Sequence, residues 1–428
     1  MRAVIQRSTF PRVVILTYTF SSKASAGMAA MATVKASSDL AVRVVSYNVL
    51  SSHLASPDHF TCCRPQDLEF ENRVPRVLDA LDREINAASE TKRPVIFCLQ
   101  EVSNSWAGQL HAFFANRNYH MLTGLYGKRF NDYMGVAMAY PTEAYETVFV
   151  DIARLSDHRV GGWPRTLTED GSSLVTTVKR IRSLSTAAFI KGLELVLRPA
   201  RQLLRLPAPE KTRDHWEMSE NRFNILLTAC LRRKELEEDA DMKGGTFVVS
   251  NYHMPCAFYA PMVMNIHCDM MAQRCQDLAN GDPYILAGDF NLLPDSPHYK
   301  LLTTGRLDWS DPTYPTPKYG MEWNSNIAGM RSAYGSSDHG EPDFTNYAQI
   351  GNDEPFIGTL DYIFLSDEWK VTGAKKVPHR KDASGPFPSE KEPSDHVMIA
   401  ADLFLPAGTQ RDEKKTNAAN DSELSRIV

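Results

Sequence analysis

The sequence lacks any run of apolar residues long enough to cross a lipid bilayer. The longest candidate, Val13 to Phe20, is short and interrupted by threonines, whereas a membrane-spanning helix needs about 20 apolar residues. We therefore expect no transmembrane segment. Apolar residues make up 43% of the 428 residues and charged residues 23%, a balance that is ordinary for a globular protein with a sizeable core. The length allows two domains or one large domain with appendages.

Cysteine is scarce, and paired C-x-x-C motifs are missing. The seven cysteines are an odd number spread over a long chain, unlike the disulfide framework of a small secreted protein, so we expect a reducing compartment. Two histidines and three cysteines lie in one stretch of the chain: His253, Cys256, His267, Cys268 and Cys275. Their spacing is not that of a structural zinc site, so we do not expect zinc here.

Acidic residues are absent from the N-terminal segment, residues 1–38, and the first one is Asp39. Scattered arginines and lysines among Ser, Thr and Ala are typical of an organelle transit peptide. If the segment is a transit peptide, we expect a mitochondrial or plastid protein. Otherwise we expect a cytoplasmic protein with a disordered N-terminal arm. A secretory signal ending near Ala26 is a weaker alternative, and a start at Met28 or Met31 would give a shorter form without the segment.

The formal net charge of −5 gives no global attraction for a polyanion, so nucleic-acid binding would need a local basic patch. One such patch lies in Lys179–Leu206, which contains seven basic residues and a single acidic one, Glu194. It belongs to a segment, about 151–220, with few strand signals, which we interpret as an insertion. An amphipathic helix packed on the domain and contact with RNA phosphates through Lys179, Arg180 and Arg182 both remain open. We expect residues 407–428 to be a disordered tail.

Short apolar runs with polar punctuation predict strands along most of the chain. They are Val42 to Val45, Val95 to Leu99, Gly135 to Tyr140, Thr246 to Val249, Tyr284 to Ala287, Tyr362 to Leu365 and Met398 to Leu405. Apolar residues in Pro65 to Glu90 recur at helical spacing. Because several strands follow one another with only loops between them, we expect a mixed-sheet sandwich with helices outside rather than a purely parallel sheet.

Polar side chains stand at the ends of several of these strands. In chain order they are Asn48 in SYNVL, Glu101 in LQEV, Asn251 and His253 in NYHM, Asp289 and Asn291 in GDFN, Asp361 in LDYIF, and Asp395 and His396 in SDH. Each alone has a structural explanation as a turn cap, a surface pair or a core histidine. Together they can converge on one rim of the sheets. Oxygen ligands there suit a hard cation such as Mg²⁺, and the chemistry best served is attack of water on phosphorus.

This ordered series of motifs resembles the endonuclease/exonuclease/phosphatase superfamily. The further motifs SAYG, EPDFTNY and GTLDYIF, with the helix-like LEFENRVPRVLDAL, resemble the branch of carbon-catabolite-repressor-type deadenylases, nocturnin, the Angel proteins and 2′-phosphodiesterase. The resemblance implies a DNase I-like α/β fold over residues 40–406, a four-layer sandwich of two central mixed β-sheets flanked by helices, with the site at the strand ends on one edge.

The resemblance also implies residue roles. The metal ligands would be Asn48, Glu101 and Asp395, holding Mg²⁺ with Mn²⁺ as an alternative. The catalytic residues would be Asp289 orienting water, Asn291 on the phosphoryl oxygens, His253 donating to the scissile phosphate, and His396 polarised by Asp361. The residues around the substrate base would be Pro261, Asn346 and Phe356. A core position beneath the sheet is the alternative for Phe356.

The implied function is that of a Mg²⁺-dependent phosphodiester hydrolase. We expect a deadenylase-type 3′-to-5′ exoribonuclease that releases nucleoside 5′-monophosphates from RNA 3′ ends. The alternative is a nucleotide phosphatase or 2′-phosphodiesterase acting on a small nucleotide such as NADPH or 2′,5′-oligoadenylate. A catalytically silent binding module is disfavoured, because Glu101, Asp289 and His396 are all present.

Overall fold

The computed structural model describes residues 39–166, 214–234 and 245–406. The N-terminal segment, the basic stretch Lys179–Leu206 and the tail from residue 407 lie outside the described residues. Within the described part, no helix combines the length and apolar character needed to span a membrane.

Fourteen strands and six helices make up the domain described here. The strands are β1 Leu40–Asn48, β2 Val95–Val102, β3 Tyr119–Leu125, β4 Gly135–Pro141, β5 Tyr145–Arg154, β6 Ile225–Arg233, β7 Thr246–His253, β8 Tyr284–Asp289, β9 Arg331–Ser332, β10 Asn346–Ala348, β11 Phe356–Gly358, β12 Asp361–Leu365, β13 Lys370–Ala374 and β14 Ile399–Leu405. The helices are α1 Pro65–Leu68, α2 Phe70–Thr91, α3 Asn104–Ala115, α4 His215–Glu220, α5 Pro261–Ala279 and α6 Pro297–Thr304. Every apolar run that predicted a strand forms one.

The strands form two 6-stranded sheets and a small hairpin of β10 and β11. The first sheet has the order β13-β14-β1-β2-β4-β3, and the second has the order β5-β6-β7-β8-β12-β9. Each sheet has a central parallel pair, β1 with β2 and β7 with β8, flanked by antiparallel neighbours. The carboxyl ends of each parallel pair therefore lie at the same edge of its sheet.

The two sheets pack face to face, and helices cover their outer faces. One apolar cluster joins the inner faces, with Val44 and Ile96 of the first sheet against residues such as Val249 and Ile285 of the second. A second cluster packs α2 and α3 on the first sheet, and a third packs α4, α5 and α6 on the second. The central strands are apolar on both faces because both faces are covered. The predicted four-layer sandwich is confirmed.

Helix α2 shows how the sequence pattern produces this packing. Its buried residues recur every three or four positions, as one face of a helix requires: Arg73, Val77, Leu81, Glu84 and Ala88. The buried carboxylate of Glu84 is paired with Arg43 at 2.9 Å and also with Lys375. The face is therefore compatible with burial despite its two charged residues.

Parts of the segment interpreted as an insertion belong to the packed domain. Strand β5 extends to Arg154, and Trp216 of α4 is fully buried in the core under α5, with Trp163 packed against it. The domain thus includes the residues on both sides of the segment 167–213, which lies outside the described residues.

Gly288, in the parallel pair of β7 and β8, lies where the two backbones approach closely. It pairs with Tyr252, and a Cβ atom built on Gly288 would lie 1.9 Å from the carbonyl oxygen of Tyr252. Its φ of +157° is also one that residues with a side chain rarely adopt. Only glycine fits one residue before Asp289.

We expect Gly288→Ala to destabilise the domain by about 3 kcal/mol or more, because the clash is with backbone and no rotamer change relieves it. Gly108→Ala in α3 is the matched control, since nothing lies within 4 Å of its added methyl group; it should stabilise by roughly 0.5–1 kcal/mol. Urea unfolding of both variants measures the difference, and equal stabilities would contradict the close approach.

Candidate active site

The edge where the parallel strands end brings the predicted catalytic and metal residues together. Asn48 ends β1, His253 ends β7 and Asp289 ends β8, while Asp361 begins β12 directly opposite Asp289. A cavity of about 870 Å³ opens at this edge. Six of the predicted catalytic and metal residues line it, namely Glu101, His253, Asp289, Asn291, Asp395 and His396. Asn48 and Asp361 are buried and hydrogen-bonded to members of this group.

The carboxylate of Asp289 is the centre of the group. Its Oδ2 accepts a hydrogen bond from Asn48 Nδ2 at 3.0 Å and lies 3.6 Å from the Nε2 atoms of both His253 and His396. Its Oδ1 accepts from the backbone N–H of Asn291 at 3.0 Å. One oxygen therefore faces three polar side chains while the other is held by the backbone, which fixes the orientation of the carboxylate.

Asp361 and His396 form a buried acid–imidazole pair. His396 Nδ1 lies 2.8 Å from Asp361 Oδ2, so Nε2 is turned toward Asp289. Burial works against the charged imidazolium, but the carboxylates of Asp361, Asp289 and Asp395 outweigh it and hold the pKa of His396 well above its usual range. Burial also raises the pKa of the Asp361 carboxyl. Asp361 thus lies in hydrogen-bond contact with His396, as the predicted polarisation of His396 requires.

Glu101 is aimed into the cavity by an irregularity of β2. The pairing of β2 with β4 shifts between Gln100 and Val102, and Glu101 itself has a φ of 55°, a conformation that costs a residue with a side chain roughly 1 kcal/mol or more. Its carboxylate accepts from Ser51 N–H at 2.8 Å and from Asn48 Nδ2 at 3.2 Å. Bulges of this kind redirect a side chain out of the ladder.

The donor set fits a hard divalent cation. Glu101 and Asp395 offer carboxylate oxygens in the cavity wall, and Asp361 Oδ1 is a buried oxygen for which the structure shows no hydrogen-bond partner. Such oxygens are what Mg²⁺ prefers. Asp289, Asp361 and His396 also place one ligand atom each within 4.8 Å of one another, but a protonated His396 cannot donate a lone pair.

Asn48 is oriented differently from a metal ligand. Its oxygen accepts from the backbone N–H of Leu50 at 2.9 Å, and its nitrogen faces Glu101 and Asp289. An amide in this orientation holds the two carboxylates in place as a donor. To act as the predicted ligand, the amide would have to turn over, which exchanges its oxygen and nitrogen.

Arg73, which the sequence reasoning did not single out, supports the site from beneath. Its buried guanidinium donates to the carbonyl oxygens of Pro393 at 2.6 Å, Leu50 at 2.8 Å and also Val49. It thereby ties the segment after β1 to the segment that carries Asp395. Burial lowers the pKa of Arg73 to about 10, so it remains charged at neutral pH. The sequence did contain a sign of this role, because Arg73 is a charged residue on the mostly apolar face of α2.

Asn251 lies between the sheets rather than in the cavity. It is fully buried and donates to the carbonyl oxygens of Leu99 at 2.9 Å and Ala137 at 2.7 Å in the opposite sheet. Its own oxygen accepts from Gln100 Nε2 at 2.8 Å. The strand-end pattern found this residue, but its place in the structure is a hydrogen-bonded bridge beside Glu101.

Two of the three predicted base-binding residues line the cavity, and the third does not. Asn346 lines the cavity and donates to Asp395 Oδ2 at 3.2 Å. Phe356 also lines it and is 37% exposed, so it is not the core ring of the alternative. Pro261 is not among the residues that line the cavity. It begins α5, and its carbonyl accepts from His298. The proline in the wall is Pro255.

Further aromatic and basic residues in the cavity wall were missed. The ring of Phe258 lies 6.2 Å from that of Phe356. Two loops add Lys128, Phe130, Arg222 and Phe223. The signal was present in the sequence as two Arg-Phe pairs, in KRF and NRF, each in a polar loop where an exposed ring has no packing role.

Comparisons with known proteins identify a matching family. The model of the Endonuclease/Exonuclease/phosphatase family matches residues 45–396. The CCR4-Not complex 3′-5′-exoribonuclease subunit Ccr4 of Aspergillus niger is 23% identical over 411 residues, covering 85% of this chain and 52% of that protein. Human 2′,5′-phosphodiesterase 12 is 24% identical over 395 residues, covering 87% and 53%. The chain thus spans about half the length of these curated relatives.

Among solved structures, ANGEL2, described as a 2′,3′-cyclic phosphatase and bound to adenosine-2′,3′-vanadate, superposes with a TM-score of 0.57 at 17% identity, covering 86% of this chain and 96% of that one. At this identity the likeness shows the fold. The superfamily resemblance drawn from the motifs is confirmed, and the curated relatives fall in the branch that the motifs indicated.

We expect Asn251→Leu to lower the free energy of unfolding by about 3 kcal/mol, because it removes three buried hydrogen bonds between the sheets. Hydrogen exchange at the ends of β2 and β8 should also become faster. Thr228→Val is the matched control, since it removes a buried hydroxyl that is hydrogen-bonded within its own sheet, to Ser250 of the neighbouring strand. Unchanged exchange at both strand ends would show that Asn251 does not hold the sheets in register.

Proposed function

The chain belongs to the Endonuclease/Exonuclease/phosphatase family, and we propose that it is a metal-dependent phosphodiester hydrolase that acts on RNA as a 3′-to-5′ exoribonuclease. The products are nucleoside 5′-monophosphates. The observation that carries this proposal is the convergence of Asp289, His253 and His396 on one point beside Glu101, in the wall of a cavity of about 870 Å³.

Glu101 and Asp395 are the residues that would hold Mg²⁺, with Asp361 behind them and Mn²⁺ as an alternative ion. When bound, the cation would neutralise phosphate charge and the charge that develops in the transition state. Ser51 N–H and Asn48 hold Glu101, and Asn346 holds Asp395, so both carboxylates are oriented before a cation arrives. Preorganised ligands of this kind reduce the reorganisation that binding requires.

Asp289 orients the attacking water and accepts its proton. Its position is fixed by Asn48 and by the backbone N–H of Asn291, so that the carboxylate would meet the water in one orientation, as a general base requires. His253 and His396 donate to the non-bridging oxygens of the scissile phosphate, where charge increases as the water attacks. The bond from phosphorus to the 3′ oxygen of the preceding nucleotide then breaks, and that oxygen leaves as a hydroxyl after taking a proton from the surrounding water. The contact with Asp361 keeps His396 protonated for that role.

The terminal nucleotide lies in the cavity, with its base against the exposed rings of Phe258 and Phe356. Stacking of a base on an aromatic ring contributes roughly 1–3 kcal/mol and tolerates any base. The rings therefore position the last nucleotide without dictating a sequence. A relative that covers 85% of this chain is named a 3′-5′-exoribonuclease, which supports RNA as the substrate.

A small nucleotide is the second candidate substrate. The cavity volume of about 870 Å³ lies within the range of roughly 300–1,000 Å³ that suits small-molecule ligands. The match to 2′,5′-phosphodiesterase 12 extends over 87% of the chain. The same residues would hydrolyse a 2′,5′-linkage in an oligoadenylate or a phosphate ester of NADPH.

We expect the full chain with Mg²⁺ to shorten a 5′-labelled oligoadenylate one nucleotide at a time, releasing AMP. Asp289→Asn should lower the rate by at least about 10²-fold, because the water loses its base. Asp367→Asn is the matched control, since that carboxylate is 86% exposed. Denaturing gels record the ladder. Parallel reactions contain NADPH and 2′,5′-oligoadenylate, and hydrolysis of these with intact 3′,5′-RNA would move the assignment to the small nucleotide.

We also expect chelation to abolish hydrolysis and added Mg²⁺ to restore it. In Glu101→Gln, the Mg²⁺ concentration for half-maximal rate should rise by about tenfold or more, because a charged ligand becomes neutral. The mutant is titrated beside Asp367→Asn, which should follow the wild-type curve. A Mg²⁺ requirement that does not change in Glu101→Gln would remove Glu101 from the metal site.

A further inference from the structure

Two loops from different sheets meet at the wall of the cavity, and each carries a basic residue and a phenylalanine. Lys128 and Phe130 lie between β3 and β4 of the first sheet, and Arg222 and Phe223 lie between α4 and β6 of the second. All four line the cavity. Lys128 Nζ lies 4.9 Å from the centroid of the Phe223 ring, so the two loops form one continuous surface, which we name the loop subsite.

The rings of the loop subsite are exposed. Phe130 is 71% and Phe223 48% accessible to solvent, so burial in the core does not account for either. An exposed ring at the wall of a catalytic cavity offers a face on which a nucleotide base can stack. These two rings line the same cavity as Phe258 and Phe356, the pair that the terminal nucleotide occupies in the proposed function.

The two cations of the loop subsite have no acidic partner among the described residues. The hydrogen bond shown for the Arg222 guanidinium goes to the hydroxyl of Tyr259, at 3.1 Å. Within residues 39–166, 214–234 and 245–406, no ion pair involves Lys128. Arg154 provides the contrast, because it also lies near the Phe223 ring, at 5.6 Å, but is paired with Asp157 at 2.7 Å. Lys128 and Arg222 thus keep their charge available for an anion.

Both loops are held in place by residues next to the catalytic group. In the first loop, Lys128 N–H donates to Asn131 Oδ1 at 2.7 Å, and the Asn131 carbonyl accepts from Ser51 Oγ at 3.2 Å. In the second, Asn224 donates to the carbonyl oxygen of His253 at 2.7 Å. These bonds connect the loop subsite to Ser51, which holds Glu101, and to the backbone of His253.

We propose that the loop subsite binds the nucleotide that precedes the scissile phosphate, with its base on Phe223 and its 5′-phosphate on Lys128 and Arg222. This inference rests on the proposed function and specifies its substrate class as an oligonucleotide with at least one phosphate beyond the one cleaved. A charge-assisted contact of each cation with that phosphate strengthens binding of the substrate without acting on the bond that breaks.

The test compares two substrates that differ only in that phosphate. Adenylyl-(3′,5′)-adenosine contains the scissile phosphate alone, and its 5′-phosphorylated form contains the second one. With the full chain, Lys128→Met and Arg222→Met should each raise KM for the phosphorylated dinucleotide about tenfold with kcat nearly unchanged, and leave the unphosphorylated one unaffected. Phe223→Leu should raise KM for both substrates about fivefold.

Lys300→Met and Trp309→Leu are the matched controls. Lys300 is exposed on α6 and Trp309 is 80% exposed, and neither lines the cavity. Equal KM values for wild type and the Lys128 and Arg222 variants would overturn the loop subsite. Equal effects on both dinucleotides would show that the cations do not bind the second phosphate, which also overturns it.

Two further arms separate the loop subsite from the proposed function. In the first, binding of a fluorescent oligoadenylate is measured in EDTA at several salt concentrations. The slope of log K against log salt should fall by roughly 0.7 for each cation removed. If the wild-type chain hydrolyses neither dinucleotide, the proposed exoribonuclease activity is overturned. The binding measurement in EDTA still shows whether Lys128 and Arg222 contact phosphates. In the second arm, NADPH replaces the dinucleotide. If the Lys128 and Arg222 variants change KM for NADPH but not for the dinucleotides, RNA is overturned as the substrate.

Discussion

The bridge that Asn251 makes between the sheets is the contact on which the geometry of the site depends. Glu101 comes from the first sheet and Asp289 and His253 from the second, and a cluster of apolar side chains joins the inner faces of the two sheets. Apolar burial is strong but non-directional, so it does not by itself define how the sheets slide past one another. Hydrogen bonds of 2.7 Å and 2.9 Å to Ala137 and Leu99 do define it. Leu99 lies two residues before Glu101, and Ala137 is paired with Leu99 on the neighbouring strand. The bridge therefore acts close to Glu101, where a misplacement of about 1 Å costs much of the rate.

A second constraint is the crowding of acidic groups at this edge. Asp289 and Asp361 are buried, with Glu101 and Asp395 beside them, and unpaired buried carboxylates strongly oppose folding. The structure offsets them with two fixed cations. His396 contacts Asp361 directly, and Arg73 lies beneath the segments on either side, held by three carbonyl oxygens. The positive φ of Glu101 and Asn291 adds local strain. A bound divalent cation would relieve the remaining repulsion, and its binding would then be coupled to stability at this edge.

The strands and the polar residues at their ends were predictable from the sequence, because a strand end is a local property. The sharp change from apolar residues to Asp289 and Asn291 needs no knowledge of the rest of the chain. The direction in which a side chain points depends on how the two sheets stack, which the local sequence does not determine. The sequence therefore identified Asn251 as a strand-end residue but did not predict that it bridges the sheets. Pro261 was chosen by its place in a motif, whereas Pro255 is the proline that the chain brings into the wall. Phe223 and Lys128 are distant in sequence, and only the meeting of two loops relates them.

Charge completes the account of how a chain with a net charge of −5 could attract a polyanion. At physiological ionic strength, charges more than about 8 Å apart are largely screened in solvent, so the acidic surface elsewhere has little influence inside the cavity. A phosphate there meets the catalytic carboxylates, which repel it, and the cations within reach. The protonated His396 and a bound metal ion would counter that repulsion at the scissile phosphate. Lys128 and Arg222 would do so for a neighbouring one, since no described carboxylate neutralises them. Recognition of a phosphate chain would therefore arise from the local order of charges along the cavity wall, with the overall charge of the protein playing little part.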